Sequence, residues 1–169
     1  MKAIVVTRPG SPEVLAQREV PDPSVGNEDV LVRVHATALN RADLLQRRGH
    51  YPAPPGSPAD ILGLEAAGEV LRSGPGATRF PPGARVMALL GGGGYAEQVS
   101  VPEGHLLPIP EALTWEQAAA IPEAFLTAFD ALVLQAKLRA GETALIQSAA
   151  SGIGTAAAQI VRQDQHRGQ

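Results

Sequence analysis

The residues with the most evident chemical use form a run of small side chains late in the sequence, Ala149-Ala150-Ser151-Gly152-Ile153-Gly154. Glycines at a strand-to-helix turn let backbone and helix approach closely, and the helix N-terminus offers free N–H groups to a pyrophosphate. The run departs from the G-x-G-x-x-G pattern of dinucleotide-binding turns, because alanine and serine replace the first two glycines. A tight βα turn with small residues for packing is the plainer reading of the same letters. Two other residues could do chemistry through an amide and a phenol, Asn40 and Tyr51. Each has a plain alternative: Asn40 as the cap of a short helix containing Asp43, and Tyr51 as cover for a Pro-rich loop. The sequence holds no cysteine, which excludes a disulfide scaffold, a cysteine nucleophile and any thiolate metal site. His35, His50, His105 and His166 are scattered and read as packed or solvated side chains, not as a ligand cluster.

The turn at 149–154 needs a strand before it and a helix after it. Residues 143–147 read as a short buried-type strand, and 155–162 as the start of a helix. Upstream, residues 2–7, 28–36, 66–72 and 85–90 read as strands. In 28–36 the period is two: Val30, Val32 and Val34 point to one face, Arg33 and His35 to the other. The quartet Gly91-Gly92-Gly93-Gly94 reads as a turn, with 95–101 as its return strand. Short strands separated by Gly/Pro turns, from 18 glycines and 15 prolines in all, predict an all-β barrel or sandwich. The composition changes near Glu111. Thr114 and Gln117 form a capping-box pair, Pro122 interrupts that helix, and 125–138 gives a second apolar-periodic segment.

The net charge is −3, from 14 basic and 17 acidic residues. With no basic cluster, there is no electrostatic footprint for nucleic acid. No apolar run reaches membrane-spanning length. Arg8 and Pro9 end the first apolar run too early for a signal peptide, so the expected location is cytoplasmic, with no membrane partner.

Four motifs carry a family resemblance. They are Ala38-Leu39-Asn40-Arg41-Ala42-Asp43 with Gln46-Arg47-Arg48-Gly49-His50-Tyr51-Pro52; Leu62-Gly63-Leu64-Glu65-Ala66-Ala67-Gly68-Glu69-Val70; Ala119-Ala120-Ile121-Pro122-Glu123-Ala124-Phe125-Leu126-Thr127-Ala128-Phe129; and the small-residue turn. In this order they resemble the zeta-crystallin-like NADPH:quinone oxidoreductase branch of the medium-chain dehydrogenase/reductase superfamily, over nearly the whole sequence. The resemblance implies a mainly β GroES-like barrel as catalytic domain over 1–122. It implies the start of an α/β Rossmann domain over 123–169, truncated after one strand and one helix. Relatives with alcohol dehydrogenase activity hold a catalytic zinc through cysteine and histidine. Asn40, Leu64 and Glu123 stand at the matching positions here, so the resemblance implies a zinc-independent enzyme with no metal ligands.

The resemblance further implies hydride transfer from NADPH to a quinone or an enone. Asn40 and Tyr51 would face the substrate and donate hydrogen bonds to its oxygen as negative charge develops, with Asp43 ordering the loop. Thr127 would meet the nicotinamide end of the cofactor, and Ala150, Ser151, Gly152, Ile153 and Gly154 its pyrophosphate. Glu65 is expected as a structural carboxylate at the domain interface. Full-length members of the family are expected to be homo-oligomers. The polar run 162–169 departs from the family and is expected to fray. With half of the cofactor groove missing, the isolated chain is expected to be inactive. The alternative is a non-catalytic truncated product, acting at most as a binding or partner-pairing module.

Overall fold

A computed structural model describes residues 1–166. The chain divides into two compact units, Met1–Ala120 and Ile121–Gln169.

The first unit carries β1 (Lys2–Val6), β2 (Leu15–Glu19), β3 (Asp29–Thr37), α1 (Arg41–Arg47), β4 (Glu65–Ser73), β5 (Arg85–Leu89), β6 (Gln98–Pro102), β7 (Leu106–Pro108) and α2 (Trp115–Ala119). Strands β1 and β2 pair with each other, and the other five form one antiparallel sheet in the order β6-β3-β4-β5-β7. The period-two reading of β3 holds from Val32 to His35, with Val32 buried, Val34 half-buried and Arg33 and His35 exposed, whereas Leu31 is buried beside Val30 and Val32, so both faces are covered at the start of the strand. Val30, Val32, Val70, Val86, Ala88, Val99, Val101 and Leu106 join in one core drawn from all five strands.

That sheet cannot be flat. Its outer strands, β6 and β7, are joined only by the 3-10 turn Glu103–His105. Five flat strands would set the two edges about 19 Å apart. The four steps from Pro102 to Leu106 reach at most about 14 Å when fully extended and about 8 Å in a 3-10 turn. The sheet therefore curls until its edges nearly meet, giving the GroES-like barrel.

The quartet at 91–94 departs from expectation. It does not fold β5 back onto a hairpin partner. Its backbone pairs with the segment before β4, through Gly93 N–H to Ile61 O (2.8 Å), Gly94 N–H to Gly63 O (3.1 Å) and Tyr95 N–H to Leu62 O (2.9 Å). The chain then crosses to β3, which β6 joins, while β5 pairs with β4 and β7. The hairpin reading fails because a non-local partner takes the glycine backbone before a tight turn can close.

Thr114 caps α2 as expected. The Gln117 N–H donates to its hydroxyl at 3.2 Å, and the Gln117 side chain accepts from the Thr114 N–H at 3.0 Å. Arg85 lies over the Trp115 indole at 4.4 Å, and the His35 ring stacks on the same indole at 4.5 Å.

The second unit holds α3 (Pro122–Phe129), a π-helical turn over Asp130–Gln135, and α4 (Gly152–His166). The apolar segment expected at 125–138 is thus split. Its second half widens into i→i+5 bonding, with Ala136 N–H donating to Ala131 O. Pro122 opens α3, where its missing N–H costs nothing. Helices α3 and α4 pack through Ala128, Ala156 and Ala157, with Ile146 against them. Residues 143–147 do not form the expected strand. They run without a ladder, and Leu145 is 91% exposed. A strand exists only by pairing, and no described strand lies beside this segment. Across the tail expected to fray from 162, the helical backbone continues to His166. Residues 167–169 of that expectation lie outside the described residues.

Candidate functional site

Asn40 ends the connection from β3 and occupies the N-cap of α1, with extended backbone angles (φ −112°, ψ 154°). Its side chain meets the Asp43 backbone as half of a capping box, while Nδ2 donates to Glu65 Oε1 at 2.8 Å. Glu65 begins β4, is 2% exposed, and its carbonyl accepts the Thr37 hydroxyl at 2.6 Å. The helix-cap reading of Asn40 is therefore right about position, and the amide is tied to a buried carboxylate.

Asp43 organises the turn. Its carboxylate, 2% exposed, accepts the Asn40 N–H at 2.7 Å, the Gly63 N–H at 3.2 Å and the Tyr95 hydroxyl at 2.9 Å. Three donors from three chain segments thus satisfy a buried carboxylate. Burial, and next to it Asp43, raises the Tyr95 pKa well above 10.0. The phenol remains a proton donor throughout the neutral range.

Gly63 makes this geometry possible. Its φ is +102°, and a Cβ there would lie 2.7 Å from Gly94 Cα and from Tyr95 N. Only glycine combines that angle with that approach. Neither Tyr95 nor Gly63 stood out as functional in the sequence. Tyr95 read as the first residue of a return strand, and the one signal for it was the quartet that delivers it.

Tyr51 stands in the loop after α1. It is 42% exposed and lines a cleft of about 520 Å³ whose walls include Gln46, Pro9 and Pro54, but not Asn40 or Asp43. The structure thus joins Asn40 to Asp43.

In the second unit, Thr127 is an exposed residue of α3. Ala150, Ser151, Gly152 and Ile153 are exposed around the start of α4, and Gly154 is buried. Ser151 caps the helix, its hydroxyl accepting the Gly154 N–H at 3.0 Å. A Cβ on Gly154 would lie 2.4 Å from Ser148 O, whereas one on Gly152 would meet nothing within 4 Å. Gly154 serves close packing, and the turn at Gly152 opens outward.

Of the positions matching zinc ligands, Leu64 is a buried apolar side chain and Asn40 is held by Glu65. Among the described residues, no group of three or more His, Cys, Asp or Glu is arranged to hold a metal ion. Among them, too, no helix is long and apolar enough to cross a membrane.

Comparison with known proteins agrees with this architecture. The chain is 42% identical over 154 residues to the pikromycin polyketide synthase component PikAII of Streptomyces venezuelae, covering 91% of this chain and 4% of that protein. It is 37% identical over 164 residues to a quinone oxidoreductase of Rattus norvegicus, covering 96% of this chain and 50% of that protein. It superposes with a TM-score of 0.80, at 41% identity, on the quinone oxidoreductase of Thermus thermophilus, whose structure was solved alone and with NADPH; 98% of this chain and 51% of that one are covered. The chain spans half or less of the length of the curated relatives it matches. Residues 26–111 match the alcohol dehydrogenase GroES-like domain. With the curled sheet and the Asn40–Asp43 turn inside that stretch, the chain belongs to the alcohol dehydrogenase GroES-like domain family, within the medium-chain dehydrogenase/reductase superfamily.

Proposed function

We propose that the protein is a zinc-independent, NADPH-dependent quinone oxidoreductase of the zeta-crystallin-like branch, reducing quinones or related electron-poor carbonyls such as enones. The observation that carries this reading is the Asn40 amide, held by Glu65 where a thiolate would serve a metal-dependent relative. The donor set does not suit zinc, because leucine cannot ligate and an amide nitrogen already donating to a carboxylate is not a metal ligand.

Nδ2 of Asn40 carries two N–H groups. Glu65 takes one, which fixes the plane of the amide and leaves the second for a substrate oxygen. Such a donor stabilises an oxygen that gains negative charge on reduction, and it does so without reorganising. Asp43 and, through it, Tyr95 set the backbone from which Asn40 projects. Tyr51 supplies a phenol donor from the loop after α1.

The second unit fits a nicotinamide dinucleotide at the turn before α4, where Gly152 leaves open space and the first-turn N–H groups have no intrahelical partner. Ala150, Ser151, Gly152, Ile153 and Gly154 would hold its pyrophosphate, and Thr127 its nicotinamide end. When bound, the cofactor supplies the hydride, and the chain's part is alignment and charge stabilisation.

The test is a chimera in which this chain is continued through the complete second domain of the Thermus thermophilus relative. NADPH consumption is followed by absorbance with a simple quinone, alongside the 169-residue chain alone. Turnover by the chimera and none by the short chain is the expected result. A chimera that binds NADPH, by fluorescence, yet reduces neither a quinone nor an enone refutes the assignment.

A further inference from the structure

The direction of the Asn40 amide depends on where Glu65 stands, since Nδ2 donates to Glu65 Oε1 at 2.8 Å. Glu65 opens β4 and is 2% exposed. It lies one residue beyond Thr37 and Ala66, the last pair of the ladder between β3 and β4. That end of the ladder is already irregular, with a register shift between Val34 and Ala36. The Thr37 hydroxyl donates to the Glu65 carbonyl at 2.6 Å. A side chain of β3 therefore reaches one residue past the last backbone pair and fastens the start of β4. The glycine quartet closes on the same oxygen, because a Cβ on Gly94 would lie 2.9 Å from it.

Thr37 is an exposed residue, so its side chain contributes nothing to the core of the sheet. Its hydroxyl has a specific use at this place. Strand ends fray, and a backbone shift at Glu65 carries the carboxylate with it. The amide plane of Asn40 then turns, and with it the second N–H that Glu65 does not take. A donor aimed at a developing negative charge must hold its geometry to within about 0.5 Å, and its advantage lies in being fixed before the charge forms.

We propose that Thr37 is a positioning residue for the reduction. Its hydroxyl fixes the backbone of Glu65, the Glu65 carboxylate fixes the amide of Asn40, and the amide meets the substrate oxygen. Thr37 itself touches no substrate. Its part in turnover rests on the oxidoreductase reading, whereas its hold on the Asn40 amide does not.

Thr37→Val keeps the branched shape and removes the hydroxyl, and Thr37→Ser keeps the hydroxyl. Thr37→Ala is a second hydroxyl-free variant. The first measurement is NMR of the Asn40 side-chain amide in the 169-residue chain. With one N–H on a carboxylate, its two proton resonances stand well apart. Thr37→Val and Thr37→Ala should draw them together and speed exchange of the bonded proton, while Thr37→Ser stays near wild type. The second measurement is turnover by the chimera with the Thermus thermophilus second domain. Thr37→Val should lower kcat about three- to tenfold, the scale of one hydrogen bond, with KM little changed. Thr37→Ser should restore kcat. In an Asn40→Ala background, Thr37→Val should cause no further loss, because it acts through the amide. An unchanged Asn40 amide in folded, hydroxyl-free variants overturns the proposal with or without turnover. So does a kcat loss that is as large in the Asn40→Ala background. A chimera that reduces nothing refutes the oxidoreductase reading, and the amide response then decides by itself whether Thr37 positions Asn40.

Discussion

The Tyr95 hydroxyl donates to the Asp43 carboxylate at 2.9 Å, joining residues 52 positions apart in the sequence. The same carboxylate oxygen, Oδ2, accepts the backbone N–H of Asn40. The loop that presents Asn40 is therefore fastened by a side chain from the far end of the glycine quartet.

Tyr95→Phe keeps the ring and removes this donor. Hydrogen bonds to charged groups contribute about 1.5–3 kcal/mol. Tyr95 is partly solvent-accessible, so water recovers some of the loss. Urea unfolding of the variant should show a loss of about 1–2 kcal/mol with an unchanged m-value.

Alkaline pH should act through the same residue. Because burial and Asp43 raise the Tyr95 pKa above 10.0, the folded state keeps its proton after the unfolded chain has lost it. The associated stability is fully present below about pH 10 and declines as pH rises above that value towards the folded pKa. Stability of the Tyr95→Phe variant should decline less steeply there. The chain has only two tyrosines, so the difference in phenolate absorbance between wild type and variant isolates this titration.

Gly63→Ala tests the approach of the quartet. The new methyl group would sit 2.7 Å from Gly94 Cα at a φ of +102°. Backbone strain and the clash together should cost about 2–4 kcal/mol. The Tyr95–Asp43 contact should loosen, which the Tyr95 ring resonances would report.

In the chimera with the Thermus thermophilus second domain, Asn40→Ala should lower kcat about a hundredfold, the scale of removing one donor to a developing oxyanion. KM should change much less. A variant with normal kcat and a raised KM would move Asn40 from stabilising charge to simple binding.

Hydrogen exchange should separate the segments sharply. Amides of β3 and β4, buried at the centre of the sheet, should be among the slowest. Amides of 143–147, which have no ladder, should exchange at nearly unfolded rates. Uniformly slow exchange through this segment would contradict its lack of a strand partner.

The central strands were legible because alternation is local. Val30, Val32 and Val34 against Arg33 and His35 set the faces of β3 without reference to anything distant. Strands β2 and β7 were not read. Leu15–Glu19 buries no side chain fully, and Leu106–Pro108 is three residues ending in proline, so neither carries a pattern of its own. At the site, Asn40 and Asp43 were visible as a motif three residues apart, whereas Tyr95 was not, because its partner is set by where the quartet docks.

The turn Glu103–His105 fastens the two margins of the curled sheet together. It is the single seam of the barrel. A proteolytic nick there would leave β6 on β3 and β7 on β5 but let the two margins part, turning one protected cylinder into a ribbon with two open, pairing-competent borders. Limited digestion at that turn should therefore convert a monodisperse domain into a self-associating one, although the cut removes no residue from the core.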